Sequence, residues 1–165
     1  MNDLPELNHL YIDGLSLDSL DISLGALPQL EFLELNSSRF NLDASEFSAE
    51  LLHLSLNGIQ FDEPELIQNI PNLQHLTIRG CGLSNIDLGF ADNLEYADLN
   101  YNELASINIP SSTKLRYLDL SRNNLNSISL VNLPALEYFN IGFNEELSVL
   151  NLEGLPMRLS VLCTW

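Results

Sequence analysis

The sequence is short of positive charge, and this shortage limits what the protein can bind. It contains six Lys and Arg against 23 Asp and Glu, which gives a formal net charge of −17. Nucleic acids and anionic membranes are bound mainly through Lys and Arg that neutralise phosphates. The composition therefore argues against both as partners, and it suits a partner with a basic surface or simple solubility.

The sequence also lacks the features of membrane, disulfide-rich and catalytic proteins. No apolar run approaches the roughly 20 residues that cross a bilayer. No leader-like segment opens the chain, so we expect a soluble, cytoplasmic protein, or an exported or cell-surface one if a leader has been removed. Two cysteines, Cys81 and Cys163, are too few for a disulfide framework and are predicted to be free thiols. No nucleophile, phosphate-loop or cofactor motif is present, so we expect no cofactor, no metal and no enzyme activity.

Leucine is in excess, with 37 of 165 residues, and its spacing is periodic. Units of the form Leu-x-x-Leu-x-Leu begin every 21 to 23 residues, at Leu7, Leu30, Leu51, Leu73, Leu94, Leu115 and Leu136. Three residues after the third apolar position, most units carry a residue from one small set: Ser38, Cys81, Asn102, Asn123 or Asn144. A short strand with one apolar side cannot bury that side alone, so neighbouring units must stack.

This pattern resembles the leucine-rich repeat, with a match from about Leu7 to Leu152. The resemblance implies an α/β-class solenoid that is mostly β: a right-handed arc of seven to eight repeats with a concave parallel sheet. The whole of 1–165 would form one domain with a degenerate end at 156–165. Units of 21 residues are most similar to the bacterial class of these repeats. We expect Ser38, Cys81, Asn102, Asn123 and Asn144 to form a structural ladder that satisfies backbone groups where each strand ends.

The second half of each unit predicts the convex side. Apolar pairs at period two indicate short extended segments rather than helices. They are Leu20/Ile22, Ile86/Leu88, Ile107/Ile109, Ile128/Leu130 and, one residue late, Leu150/Leu152. The stretch DEPELIQNI differs, and it predicts one or two helical turns over Pro64–Ile70.

The C-terminal unit is out of step, because Arg158 stands where a leucine is expected. Leu159 and Leu162 could still form a degenerate eighth strand covered by Trp165, or the array could fray there, and the sequence leaves both open. An uncapped edge would also favour self-association through strand pairing.

Between the inward leucines, one outward column is aromatic in every repeat. Side chains alternate along a strand, so the residues just before the second leucine point away from the core. They are His9, Phe32, His53, His75, Tyr96, Tyr117 and Tyr138. With parallel strands about 4.8 Å apart, the seven rings would form a ladder about 29 Å long. Rings in such a column stabilise the sheet, and they also suit recognition because Tyr and His combine apolar bodies with polar tips.

Charged residues lie beside this column and complete the predicted binding surface. Glu34, Asp98, Asp119 and Arg79 occupy the neighbouring outward positions, Arg116 precedes Tyr117, and Tyr101, Arg122 and Phe143 stand at strand exits. We predict a protein–protein interaction module that binds a protein ligand through this concave face. A carbohydrate-binding or adhesive surface, and a structural repeat fragment of a larger protein, are the alternatives.

Two pairs of residues in this surface suggest other functions, namely acid–base catalysis and metal binding. Asp98 and Asp119 should be cross-strand neighbours about 5 Å apart, and paired acids are used by glycosidases and by cation sites. A flat ladder offers no enclosing pocket, however, and Arg116 and Arg122 are expected to neutralise the acids. His53 and His75 alone are too few ligands for a good metal site.

Overall fold

The computed structural model describes residues 4–14, 24, 27–36, 47–59, 64–109, 111–112, 114–156 and 158–163. Within these ranges the chain forms twelve strands and one 3₁₀ helix, Pro64–Asn69. The strands are β1 His9–Asp13, β2 Phe32–Asn36, β3 His53–Asn57, β4 His75–Arg79, β5 Asn85–Asp87, β6 Tyr96–Asp98, β7 Ser106–Asn108, β8 Tyr117–Asp119, β9 Ser127–Ser129, β10 Tyr138–Asn140, β11 Val149–Asn151 and β12 Ser160–Leu162.

Eight of these strands form one parallel sheet in the order β1-β2-β3-β4-β6-β8-β10-β12. The register aligns the second apolar residue of each unit, and the aligned side chains Leu33, Leu54, Leu76, Ala97, Leu118 and Phe139 are all fully buried. The solenoid with a parallel sheet and almost no helix confirms the predicted fold class. It has about six turns, slightly fewer than the seven to eight repeats predicted.

Short strands form the opposite side, as predicted. β5 pairs with β7 and β9 pairs with β11, both in parallel. Leu150 aligns with Ile128, which confirms that the apolar pair of the seventh unit comes one residue late. The 3₁₀ helix covers the predicted helical stretch and buries Ile67 fully. The pair Leu20/Ile22 lies outside the described residues.

Asparagine side chains join consecutive repeats where the sheet strands end. In Asn123, Nδ2 donates to the carbonyl oxygens of Leu99, Leu120 and Ser121 at 3.0–3.2 Å, and Oδ1 accepts from the N–H of Leu104 at 3.0 Å. Corresponding contacts are made in the adjacent repeats, by Asn102 and Asn144. Cys81 occupies the same position in the fourth repeat, with Sγ 3.4 Å from the carbonyl oxygen of Leu56 and 3.3 Å from that of Arg79. Ser38 lies outside the described residues.

The last described strand is the degenerate one. β12 pairs with β10 in parallel, with Val161 beside Phe139 and Leu162 beside Asn140. Val161 takes the inward register of the leucines, yet it stays exposed, as does Leu162. Trp165, which was expected to cover this strand, lies outside the described residues. Cys81 and Cys163 are both free thiols, as predicted. None of the helices among the described residues has the length and apolar character needed to cross a membrane.

Candidate functional site on the concave sheet face

The outward aromatic column forms a continuous stack across seven strands. Register pairing places His9, Phe32, His53, His75, Tyr96, Tyr117 and Tyr138 side by side. Successive ring centroids are 5.3, 5.7, 5.6, 6.0, 4.3 and 4.5 Å apart, and each pair is stacked. We call these seven residues the ring ladder.

The ring ladder is tightest at its tyrosine end. Tyr96, Tyr117 and Tyr138 are stacked with interplanar angles of 9° and 3°, whereas the other pairs differ by 11° to 28°. Burial is the main cause that raises the pKa of the Tyr96 and Tyr117 hydroxyls, with nearby Asp98 and Asp119 adding to the rise. These hydroxyls therefore stay neutral and can both donate and accept hydrogen bonds.

Beside the ring ladder, two aspartates pair across strands but are buried. Asp98 and Asp119 are register neighbours and are only 4% and 5% exposed. Asp98 Oδ1 accepts from the N–H of Asn100 at 3.2 Å. Asp119 Oδ1 accepts from the N–H and Oγ of Ser121, at 2.9 and 2.6 Å, and its Oδ2 accepts from Asn140 Nδ2 at 3.0 Å. Both carboxylates are thus engaged within the sheet, and burial raises the pKa of Asp98 despite hydrogen bonding and the nearby Arg79.

The expected neutralisation of these acids by Arg116 and Arg122 is wrong. The guanidinium beside Asp98 belongs to Arg79, with Nε 3.7 Å from Oδ2 of Asp98 and 3.0 Å from Oδ1 of Asn100. Arg116 instead pairs with Glu137, at 2.7 Å between Nη1 and Oε1. Arg79 ends β4, the strand that pairs with β6, so the sheet register rather than closeness in the sequence brings its guanidinium beside Asp98.

The histidines of the ring ladder are adjacent, as their register requires. His53 stacks on Phe32 at one side and on His75 at the other. Burial, followed by the neighbouring His75, lowers the pKa of His53, and Glu34 opposes the shift. No group of three or more metal-ligand side chains is found in the part of the chain that the structure describes.

At the strand exits a second, shorter column lies beside the sheet. The guanidinium carbon of Arg122 is 4.8 Å from the ring centroid of Tyr101 and 4.1 Å from that of Phe143. An open cavity of about 760 Å³ adjoins this column, and its lining includes Arg122, Phe143, Glu145 and Glu146. This cavity was not predicted from the sequence. The signal that could have found it is the extra residue in the seventh repeat, which lies next to the two glutamates.

Comparisons with known proteins bear on the fold. No family model and no curated protein matches this chain. Among solved structures, the chain is similar to a functional domain of InlJ from Listeria monocytogenes that includes a cysteine ladder, with a TM-score of 0.58 and 19% identity over 88% of this chain and 39% of that one. It is similar to a chain of the LRIM1/APL1C complex, with a TM-score of 0.65 and 21% identity over 95% of this chain and 36% of that one. It is also similar to the APL1 leucine-rich repeat domain, with a TM-score of 0.62 and 20% identity over 97% of this chain and 52% of that one.

The chain therefore has the leucine-rich-repeat fold. It spans about a third to a half of the length of these three solved chains. At such low identities the similarity establishes the fold and carries no information about a ligand.

Proposed function

We propose that this chain is a protein-interaction module that binds a partner protein through the ring ladder on its concave face. The observation that supports this most directly is the unbroken row of seven stacked rings on a sheet face. Aromatic side chains, tyrosine in particular, are enriched among the residues that dominate protein-binding energies. The preassembled stack would lose little side-chain freedom on binding, which favours affinity.

The charge of the chain defines the partner that we propose. With a net charge of −17, the protein attracts basic surfaces and repels acidic ones over several ångströms. We therefore expect a partner with a basic surface, and an association rate that falls as salt is added. One of the solved chains with this fold, in the LRIM1/APL1C complex, is itself part of an assembly between proteins. The bacterial origin that the repeat length predicts stays a prediction.

The stacking argues against the carbohydrate alternative. Sugars bind aromatic residues mainly over the face of the ring, and in the ring ladder each inner ring has neighbours on both faces at 4.3 to 6.0 Å. Only ring edges and polar tips are left for a ligand, which suits hydrogen bonds and peptide contacts better. Glycan-array binding that free sugar competes away would favour carbohydrate recognition instead.

The test is comparative capture with matched variants. Immobilised wild-type protein is exposed to proteins of the source cell, and quantitative mass spectrometry compares the bound set with those of Tyr117→Ala, Tyr117→Phe and Ser106→Ala. Ser106 lies exposed on β7, on the opposite side from the ring ladder. A partner that is lost with Tyr117→Ala and retained with Ser106→Ala supports the proposal. If both variants lose the partner equally, or if neither variant loses it, binding through the ring ladder is contradicted.

A role as a structural part of a larger protein is tested separately. The chain spans only part of the solved chains that it resembles, so a longer reading frame around it would supply further repeats or domains. In that case the variants above would change the stability of the larger protein without changing what it binds.

A further inference from the structure

Arg122 is held between two rings at the strand exits. Its guanidinium carbon is within 4.8 Å of the Tyr101 ring centroid and 4.1 Å of the Phe143 ring centroid. These three residues come from successive repeats and share one backbone position, with φ of 57°, 57° and 56° in the left-handed region. The preceding repeat has Gly80 at this position, with φ of 60°. Bulky residues are disfavoured in this region. Three successive repeats therefore carry a bulky residue at a position where glycine would adopt the backbone conformation at lower cost.

The guanidinium N–H donors of Arg122 have no partner among the described residues, although its backbone N–H donates to the carbonyl oxygen of Gly142 at 2.9 Å. The ring contacts are its only side-chain interactions there, and neither ion pair in the described ranges includes it. A guanidinium packed against rings through its faces keeps its five N–H donors, which lie in its own plane. Those donors are arranged as a rigid fork that fits a carboxylate with two parallel hydrogen bonds. The rings thus hold in place a cation whose binding edge is unused.

The cavity next to Arg122 contains both signs of charge. Its volume of about 760 Å³ lies within the range of small-ligand sites, about 300 to 1,000 Å³. Arg122 and Phe143 line it, and so do the exposed carboxylates of Glu145 and Glu146. Two carboxylates repel a doubly charged phosphate but attract ammonium and guanidinium groups. The lining therefore fits a single carboxylate that has basic groups beside it.

We infer that Arg122 binds one carboxylate of a basic peptide segment in this cavity, while Glu145 and Glu146 contact the basic side chains that flank it. The inference rests on the proposed function, because it names a contact that a basic partner protein would make. Within an otherwise acidic surface, a single clamped arginine would fix the position of the partner along the sheet. The bond would add specificity, since a partner without a carboxylate at that point would leave the fork unpaired.

Two short peptides serve as probes, so the test does not need the natural partner. Acetyl-Lys-Asp-Lys-amide carries the inferred pattern. In acetyl-Lys-Asn-Lys-amide, the control, the neutral Asn replaces the central Asp. Each is titrated at low salt into ¹⁵N-labelled full chain, while NMR follows the Arg122 Nε–Hε signal and the backbone amides of Asn124 and Glu145. We expect a saturable shift at these signals and a Kd about fivefold to tenfold lower for the Asp peptide.

Variants assign the effect to the guanidinium. Arg122→Asn removes it while keeping a residue that tolerates the left-handed backbone, and Asn132 already adopts φ of 57° in this chain. In Arg122→Asn the two peptides should bind alike, as judged from the amides of Asn124 and Glu145. Lys114→Gln removes the same charge from outside the cavity, where Lys114 Nζ bonds Asn93 Oδ1 at 2.6 Å, and should keep the preference.

Three outcomes would overturn the inference: equal affinity for both peptides in wild-type protein, no binding of either, or a preference that survives in Arg122→Asn. Tyr117→Ala separates this inference from the proposed function, because Tyr117 belongs to the ring ladder and does not line the cavity. A preference that persists in Tyr117→Ala, together with unchanged partner capture by that variant, would refute binding through the ring ladder and leave the carboxylate site standing. Loss of partner capture in Tyr117→Ala, together with equal affinity of the wild-type protein for the two peptides, would support binding through the ring ladder and refute the carboxylate site.

Discussion

Replacing Asn123 by alanine should destabilise the solenoid more than any exposed substitution nearby. Asn123 is buried, and its amide makes four hydrogen bonds to backbone groups of two repeats. Three of its partners keep another donor when it is removed. The carbonyl of Leu99 is still bonded by Asn102, that of Leu120 by Asn144, and that of Ser121 by the N–H of Tyr101.

The fourth partner decides the magnitude. The N–H of Leu104 donates to Asn123 Oδ1 at 3.0 Å and belongs to a fully buried residue. A buried donor left without an acceptor costs about 1–3 kcal/mol, and each net hydrogen bond lost costs about 1 kcal/mol. Since the two hydrogens of the amide can make two good bonds at once, we expect Asn123→Ala to lower the free energy of unfolding by about 3–5 kcal/mol.

Urea denaturation followed by circular dichroism measures this difference, with linear extrapolation to water. The matched control is Asn124→Ala, because Asn124 is exposed and its side chain makes no hydrogen bond within the described ranges. The control should lie within about 0.5 kcal/mol of wild type. If Asn123→Ala cost no more than Asn124→Ala, the asparagines would not hold the repeats together and the hydrogen-bond argument would fail.

Three further predictions concern the core residue Leu118, the imidazole of His53 and the carboxylate of Asp98. Leu118→Ala should cost about 2–5 kcal/mol because Leu118 is fully buried, whereas Val161→Ala, in the same inward register but exposed, should cost well under half as much in the same urea assay. Because the pKa of His53 is lowered in the folded chain, the unfolded chain is protonated at this imidazole before the folded chain as the pH falls. Wild-type stability should therefore fall relative to His53→Phe as pH drops from 7.5 through 6.5 to 5.5, and parallel pH profiles would contradict this. The raised pKa of Asp98 acts in the opposite sense, so wild-type stability should rise relative to Asp98→Asn as pH falls from 7 toward 3.5, through the folded and then the unfolded pKa; thermal melts at each pH would show no such rise if the carboxylate were solvated.

The sequence predicts the repeating backbone well because each repeat must satisfy the same two requirements. Inward leucines have to meet their neighbours, and the turn has to satisfy its backbone groups, so both recur at fixed positions. The one-residue delay at Leu150 was predictable for this reason, since the apolar period itself shows the shift. The ring ladder was predictable too, because strand alternation and parallel register together place residues 21 to 23 apart side by side.

Side-chain partners between repeats were not predictable in the same way. Alternation places Asp98 on the outward side, but it does not reveal that neighbouring side chains bury it. Arg116 stands beside Tyr117 in the sequence, yet its guanidinium reaches Glu137 in the next repeat rather than either aspartate. Long flexible side chains have several neighbours within reach, so their contacts depend on which alternatives the surrounding surface leaves open.

The fold does not require the guanidinium N–H donors of Arg122, because they have no partner among the described residues. Stacking alone would be served by a third ring at this position, as the tyrosines of the ring ladder show at 4.3 and 4.5 Å. An arginine adds to such a stack a positive charge, which the two ring faces attract, and planar N–H donors, which have no partner among the described residues. The ring ladder can be explained by the stability of the sheet as well as by binding, because stacked rings stabilise strands. The ring contacts of Arg122 use the faces of the guanidinium, so the stability of the stack does not account for its N–H donors, and for this reason the strand exits are where we propose to test first for a bound carboxylate.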